Sequence, residues 1–146
     1  MKLKISSLVP ADRNRVFAAL INPEVLGRAI PGCESLMLVA PDTYEATLKI
    51  GLAGLNGTYR GKASIREQHP PDALTLSFEG KGSPGFVRGS STFALETEAE
   101  ATRVSADADV QVGGLIAAVG SRLVEAAAKK LADDFFRRLS EELARA

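Results

Sequence analysis

His69 and Cys33 are the chain's single histidine and single cysteine, and they lie 36 positions apart. Such sparse imidazole and thiol cannot assemble a zinc-type ligand set, and one histidine makes a Ser-His-Asp arrangement improbable. His69 opens the turn His69-Pro70-Pro71-Asp72 and reads as a solvated surface imidazole. Cys33 sits in Ile30-Pro31-Gly32-Cys33-Glu34 with no base beside it to activate a thiolate. It reads as a small apolar side chain, with the mouth of a pocket as its functional alternative. Gly80-Lys81-Gly82-Ser83-Pro84-Gly85 matches G-x-G-x-x-G letter for letter. A dinucleotide fingerprint opens a helix after a strand. Here the following residues alternate like a strand, so a hairpin loop is expected and phosphate chemistry is not. No carboxylate falls clearly on the predicted inward face, which leaves paired acid–base work without candidates. The phenols of Tyr44 and Tyr59 remain as the acids an enzymatic reading would use. No catalytic or metal site is expected.

Lys plus Arg and Asp plus Glu both number 18, so the formal net charge is zero. The two halves are balanced as well, without the basic excess that phosphate binding requires, and no nucleic-acid partner is expected. At 146 residues the chain is one domain, 1–146, long enough to bury a substantial core. Its longest weakly polar stretch, Val110 to Gly120, is interrupted by glycines and falls short of the ~20 apolar residues of a membrane span. The start, MKLKISSLVP, lacks the apolar run of a secretory signal. A soluble cytoplasmic protein is expected.

These side chains must be positioned by elements that the periodicity outlines. Leu3 and Ile5 alternate with Lys2, Lys4 and Ser6, a strand that Pro10 ends. Asp12 can cap a helix carrying Val16, Phe17, Leu20 and Ile21, and Asn22-Pro23 starts a second, brief one that Pro31-Gly32 stops. From 34 to 112 the period is two, in six or seven strands with short connections, which implies an antiparallel meander. Gly51 to Gly57 reads as a bend or hairpin. Leu115, Val119, Leu123, Ala127, Leu131, Phe135, Leu139 and Leu143 then step by four, predicting one long amphipathic helix over 115–143 packed on the sheet through Leu123, Leu131 and Phe135. Lys129–Asp133–Arg137–Glu141 and Lys130–Asp134–Arg138–Glu142 form opposite-charge ladders on its other faces. The fold class is α+β: a curved antiparallel sheet gripping a long C-terminal helix, with two short helices after the first strand.

The inward face is unusual in side-chain size. Ala46, Gly61, Ala63, Gly89, Ser91, Ala106 and Ala108 are all small. Interiors pack at ~0.74 density, so either the helix lies very close to the sheet or a cavity remains between them. Tyr44, Leu48, Tyr59, Leu76, Phe78, Phe93, Val119 and Leu123 are the candidate walls of such a cavity. Ile30, Pro31 and Cys33 are its candidate entrance. A mainly apolar lining with a few polar groups suits a small-molecule pocket.

Three stretches carry a resemblance. They are Asn22-Pro23-Glu24-Val25-Leu26 leading into Ile30-Pro31-Gly32-Cys33-Glu34; the glycine-rich Gly80 to Gly89; and Val110-Gln111-Val112-Gly113-Gly114-Leu115, followed by Ala118-Val119-Gly120-Ser121-Arg122 and Phe135-Phe136. With the element order, they resemble the START-like, helix-grip (SRPBCC) superfamily of polyketide cyclases and lipid-transfer domains. More narrowly, the chain is similar to the carbon monoxide dehydrogenase G-subunit (CoxG) family. The resemblance implies a non-catalytic accessory protein of a molybdenum hydroxylase, such as an aerobic carbon monoxide dehydrogenase. It implies no covalent cofactor, a quinone or lipid as guest, molybdenum hydroxylase subunits as partners, and a part in membrane recruitment or electron-acceptor handling. Many members carry a C-terminal extension with a membrane-interacting tail, whereas the sequence here ends at Ala146. Membrane contact is therefore expected to be peripheral or through a partner, at the inner face. The alternatives are a cyclase- or hydratase-like enzyme of the same superfamily, with Tyr44 or Tyr59 as acid, and a docking module with a filled core and no ligand.

Overall fold

A computed structural model describes residues 1–52 and 54–145. Ala53, inside the predicted 51–57 bend, and Ala146 lie outside the described residues.

The order is β1 (Lys2–Val9), α1 (Arg13–Ile21), α2 (Pro23–Ala29), β2 (Cys33–Ala40), β3 (Thr43–Ile50), β4 (Gly57–His69), β5 (Ala73–Gly82), β6 (Gly85–Glu98), β7 (Ala101–Gly114), α3 (Leu115–Ala118) and α4 (Ser121–Arg145). Both early caps form as their chemistry dictates. Asp12 Oδ1 accepts from the Arg15 N–H at 3.0 Å, and Asn22 Oδ1 accepts from the Glu24 N–H at 3.0 Å with Pro23 opening α2. The strands form one seven-stranded sheet in the order β1-β7-β6-β5-β4-β3-β2, antiparallel throughout. The glycine-rich segment closes the β5–β6 hairpin, with Gly82 paired to Gly85 and no helix after it.

The period-2 pattern gives the sheet a polar outer face and an apolar inner one. Glu45, Lys62, Glu79 and Arg88 are consecutive cross-strand partners on the outer face, an alternating row of charge. Opposite charges so placed each contribute roughly 0.2–1 kcal/mol.

The inner face meets the helices. The Arg15 side chain donates to the Leu143 carbonyl at 2.5 Å and the Arg28 Nε to Glu142 at 2.5 Å, tying the end of α4 to α1 and α2. The principal neighbours of α4 are α2, β1, α1 and α3. Its ion pairs form the expected ladders in part: Lys130 meets Asp134 and Arg137 meets Glu141, but Lys129 pairs back with Glu125.

Two expectations about the long helix are corrected. Residues 115–143 are not one helix, because the chain breaks at Val119 and Gly120 between α3 and α4. Gly120 has φ +93°, a conformation no helix interior accepts. The break takes the segment before α4 out of the helix register on which the four-step stripe was counted. Leu123, inside α4, is 58% exposed instead of packed on the sheet, because each four-residue step overshoots a helical turn by about 40° and four such steps carry the stripe from Leu139 to the far side of the helix. Leu131 and Phe135 are half-buried, while Val124, Phe136, Leu139 and Leu143 are the buried residues of α4.

Candidate functional site

The core of this molecule is in two pieces. One cluster joins β1, α1, the strand ends Leu74, Leu95 and Val104, and the C-terminal half of α4 through Phe136, Leu139 and Leu143. The other, at the opposite end, joins Leu55, Tyr59, Ile116 and Val124, with Ile50, Leu52, Val87, Val112 and Val119 against them. Between the clusters lie Ala46, Leu48, Ala63 and Phe78 from the sheet and Leu131 from α4, all half-buried and belonging to neither.

Register explains the interval. Ala46, Gly61 and Gly80 are direct cross-strand partners on three adjacent strands. Cross-strand partners share a face, so this row carries nothing larger than a methyl group. One flanking row runs Leu48–Tyr59, and the other runs Leu38–Tyr44–Ala63–Phe78–Gly89. The inner face thus carries the small row Ala46, Gly61 and Gly80 flanked by Leu48 and Tyr59 on one side and by Tyr44 and Phe78 on the other, and the same three small residues also border a groove on the outer face. Cys33 is paired directly with Leu48, which sets the Ile30–Cys33 loop beside that residue. The loop is fixed there by Gly32, at φ +74°, whose carbonyl accepts from the Lys49 N–H at 2.8 Å.

The remaining expected wall residues distribute differently. Leu76, opposite Ser91, and Phe93, opposite Ala106, lean on the cluster at the α1 end. Val119 belongs to the other cluster and lies against Gly54, its Cγ1 2.9 Å from where a Cβ there would stand. Leu123 is on the surface. Two residues escaped the sequence reading. Gly80 fell inside the segment read as a loop, and Leu36, opposite Ala46, lies in a strand whose faces the period did not resolve. For Gly80 the alternation of Leu74, Leu76 and Phe78 continued two residues further was the available signal.

The polar groups on this part of the inner face are engaged by the main chain. Tyr44 donates its hydroxyl hydrogen to the Ile21 carbonyl at 2.6 Å, and Tyr59 to the Leu55 carbonyl at 2.8 Å. Burial pushes both phenols above their ordinary pKa, with the Asp42 charge adding to the effect on Tyr44. Cys33 Sγ donates to the Ser35 carbonyl at 3.4 Å, and burial pushes its thiol up. These are not activated groups. Among the described residues no three His, Cys, Asp or Glu side chains converge to hold a metal ion, and His69 is exposed beside Glu67.

Grooves of about 710 and 580 Å³ lie on the opposite, outer face, lined by charged and polar side chains including Glu45, Arg60, Lys62, Glu79, Lys81 and Arg88 in one and Arg66, Arg88 and Asp109 in the other. Of the expected wall residues only Phe78 borders one of them. No helix among the described residues is long and apolar enough to cross a membrane.

Among proteins of curated function, none matches the chain significantly. Solved structures do. A conserved protein from Geobacillus kaustophilus is 32% identical with a TM-score of 0.95, over 99% of this chain and 96% of that one. A START superfamily protein from Mycobacterium smegmatis has a TM-score of 0.75 at 13% identity, over 99% and 97% of the two chains. A protein from Rhizobium leguminosarum has a TM-score of 0.75 at 19% identity, over 100% and 95%. At those lower identities the likeness concerns the fold, which is START-like. The family model for the G subunit of carbon monoxide dehydrogenase (CoxG) matches residues 6–144. A match of that extent, on an antiparallel sheet and C-terminal helix arranged as the START superfamily arranges them, makes this chain a member of the CoxG family.

Proposed function

We propose that the protein is a non-catalytic accessory protein that holds an apolar small molecule, a quinone or lipid, in a hollow between α4 and the inner sheet face. In this reading it serves a molybdenum hydroxylase such as an aerobic carbon monoxide dehydrogenase, at the cytoplasmic face of the membrane. The observation that carries the proposal is the small-residue row Ala46–Gly61–Gly80, beside which Leu48 and Phe78 stay only half-buried between two packed ends. An apolar slot suffices for binding, since each buried methylene contributes ~0.8 kcal/mol and an isoprene unit several times that. The tyrosine protons point at main-chain carbonyls, which favours carriage over acid catalysis. Peripheral membrane contact is supported by Leu115, 68% exposed, and Leu123, 58% exposed, on either side of the break between α3 and α4, with Arg122 next to Leu123.

Native mass spectrometry of freshly purified protein tests the proposal. A co-purifying quinone or lipid is expected, and Ala63→Phe, which fills the hollow at a half-buried site, is expected to expel it at near-normal stability. Ala106→Leu is the contrasting variant. Ala106 is buried and faces Phe93, so the added volume overpacks at a cost of ~1–3 kcal/mol. A wild-type protein that binds no apolar ligand, with Ala63→Phe as destabilised as Ala106→Leu, would make this a filled docking module.

A further inference from the structure

A sheet has two edges, and here they are β1 and β2. An edge strand presents unpaired N–H and C=O groups, and proteins shield such edges with charged side chains, prolines or irregular pairing. β1 is shielded by exposed Lys2 and Lys4. β2 lacks charge and proline shielding: from Ser35 to Ala40 it reads Ser-Leu-Met-Leu-Val-Ala. Met37 is 60% exposed, Leu38 52% and Val39 44%, three of the six large apolar side chains that stand exposed among the described residues. Leu36 and Leu38 share the inner face with their partners Ala46 and Tyr44, and Met37 shares the outer face with Glu45. Both faces of the edge are therefore apolar. The pairing irregularities of β2 fall at its ends, between Cys33 and Ser35 and between Leu38 and Ala40, and leave a regular stretch between them.

We infer that β2 is a self-docking edge, on which the β2 strand of a second copy of this chain pairs antiparallel about a two-fold axis through Met37. That register sets Met37 opposite Met37 of the second copy and Leu36 opposite its Leu38, outer residue on outer and inner on inner.

Three observations select a second copy as occupant. First, no charged side chain lies between Ser35 and Ala40, so self-pairing brings no like charges opposite one another, which would destabilise the seam. β1 paired with itself would bring lysines together. Second, the outer charge row ends at Glu45 beside Met37. Across the seam the two Glu45 residues stand three strand spacings apart, about 14 Å, beyond the ~8 Å screening length at physiological salt. Third, the lysine-guarded β1 edge stops growth at two copies, the closed form that a two-fold contact produces. A single strand seam is small against the ~1,200 Å² of a standard stable interface, so the dimer is weak and concentration-dependent.

Sedimentation velocity of the purified chain from micromolar to near-millimolar concentration tests this. A monomer–dimer equilibrium is expected, weakened at least tenfold by Met37→Lys and unchanged by Leu8→Lys on the other edge. In a Cys33→Ser background, Met37→Cys is expected to give a disulfide-linked dimer on oxidation, because residues directly opposite across an antiparallel seam bring their Cβ atoms within bridging reach. Leu8→Cys is expected to give none. If Met37→Lys does not fold, hydrogen exchange of the wild type decides: protection of the Ser35–Val39 amides must rise with concentration. A monomer throughout, a dimer indifferent to Met37→Lys, concentration-independent exchange, or a β2 edge that pairs only with a different protein would each overturn the inference.

Discussion

The Tyr59 hydroxyl is hydrogen-bonded to the carbonyl of Leu55, 2.8 Å away and four residues back in the chain. Its ring stands beside Leu48 on the inner face, a wall of the proposed binding site, while its proton is committed to the β3–β4 connection. Tyr59→Phe keeps the wall and removes only that bond. A loss of roughly 0.5–1.5 kcal/mol in denaturant unfolding is expected, with binding of an apolar ligand largely retained. Abolished binding at near-normal stability would mean the hydroxyl contacts the guest.

Alkaline stability is expected to report the two phenols. In the unfolded chain they ionise near pH ~10, whereas burial raises both in the folded state. Their contribution is intact below the unfolded value and is lost as pH rises through the raised folded values. Melting temperature is expected to fall above pH ~10. The Tyr44→Phe, Tyr59→Phe double variant is expected to fall less steeply, and equal slopes would show that the phenols do not carry the effect.

Leu139 is fully buried and Leu123 is 58% exposed, although both lie on the same four-step stripe of the sequence. Leu139→Ala is expected to cost ~2–5 kcal/mol as a buried large-to-small change. Leu123→Ala is expected to stay within about 0.5 kcal/mol of wild type. Equal losses in chemical denaturation would place Leu123 in the packed face of α4.

Thr102, fully buried, donates its hydroxyl to the Ala11 carbonyl at 2.7 Å and so fastens the turn after β1 to β7. Thr102→Val keeps the volume and removes the donor. A cost of ~1–3 kcal/mol is expected, and Thr102→Ser, which restores the hydroxyl, is expected to lose less in the same unfolding assay.

Gly32→Ala tests the loop beside Leu48. A Cβ at Gly32 would stand 2.1 Å from the Lys49 carbonyl oxygen, on a backbone already at φ +74°. The start of β2 must then detach from β3. Increased amide exchange at Gly32–Cys33 and Leu48–Lys49 is expected. Gly27→Ala, with open space around it, is expected to show no such change.

The parts of this fold that the sequence reveals are the local ones. Asp12 and Asn22-Pro23 announce helix starts because a cap acts within three residues, and the strands announce themselves through alternation. The break at Gly120 was hidden because Leu115, Val119 and Leu123 keep a helical spacing across it, and an interior glycine is common enough to pass. The small-residue row was half visible. Ala46, Gly61 and Ala63 could be read as small and inward, but that Ala46, Gly61 and Gly80 stand side by side depends on the register of three strands. Register is set jointly by turns and by the packed faces, so it is not a property of any one segment. The division of the core follows from tertiary placement in the same way.

A core split into two packed ends separates the residues that hold the molecule together from those of the proposed binding site. Leu139, Val104 and Ile116 are almost wholly enclosed and intolerant of change, while the small-residue row between the clusters bears little of the load. Even within the row the tolerance is uneven. A methyl group at Gly80 would meet its nearest neighbour, the Arg60 carbonyl oxygen, at an ordinary 4.0 Å, whereas at Gly61 it would press on the Glu79 carbonyl oxygen at 3.2 Å. A side chain added to this row is thus expected to disturb the fold less at Gly80 than at Gly61, which makes Gly80 the first position at which to narrow the proposed binding site.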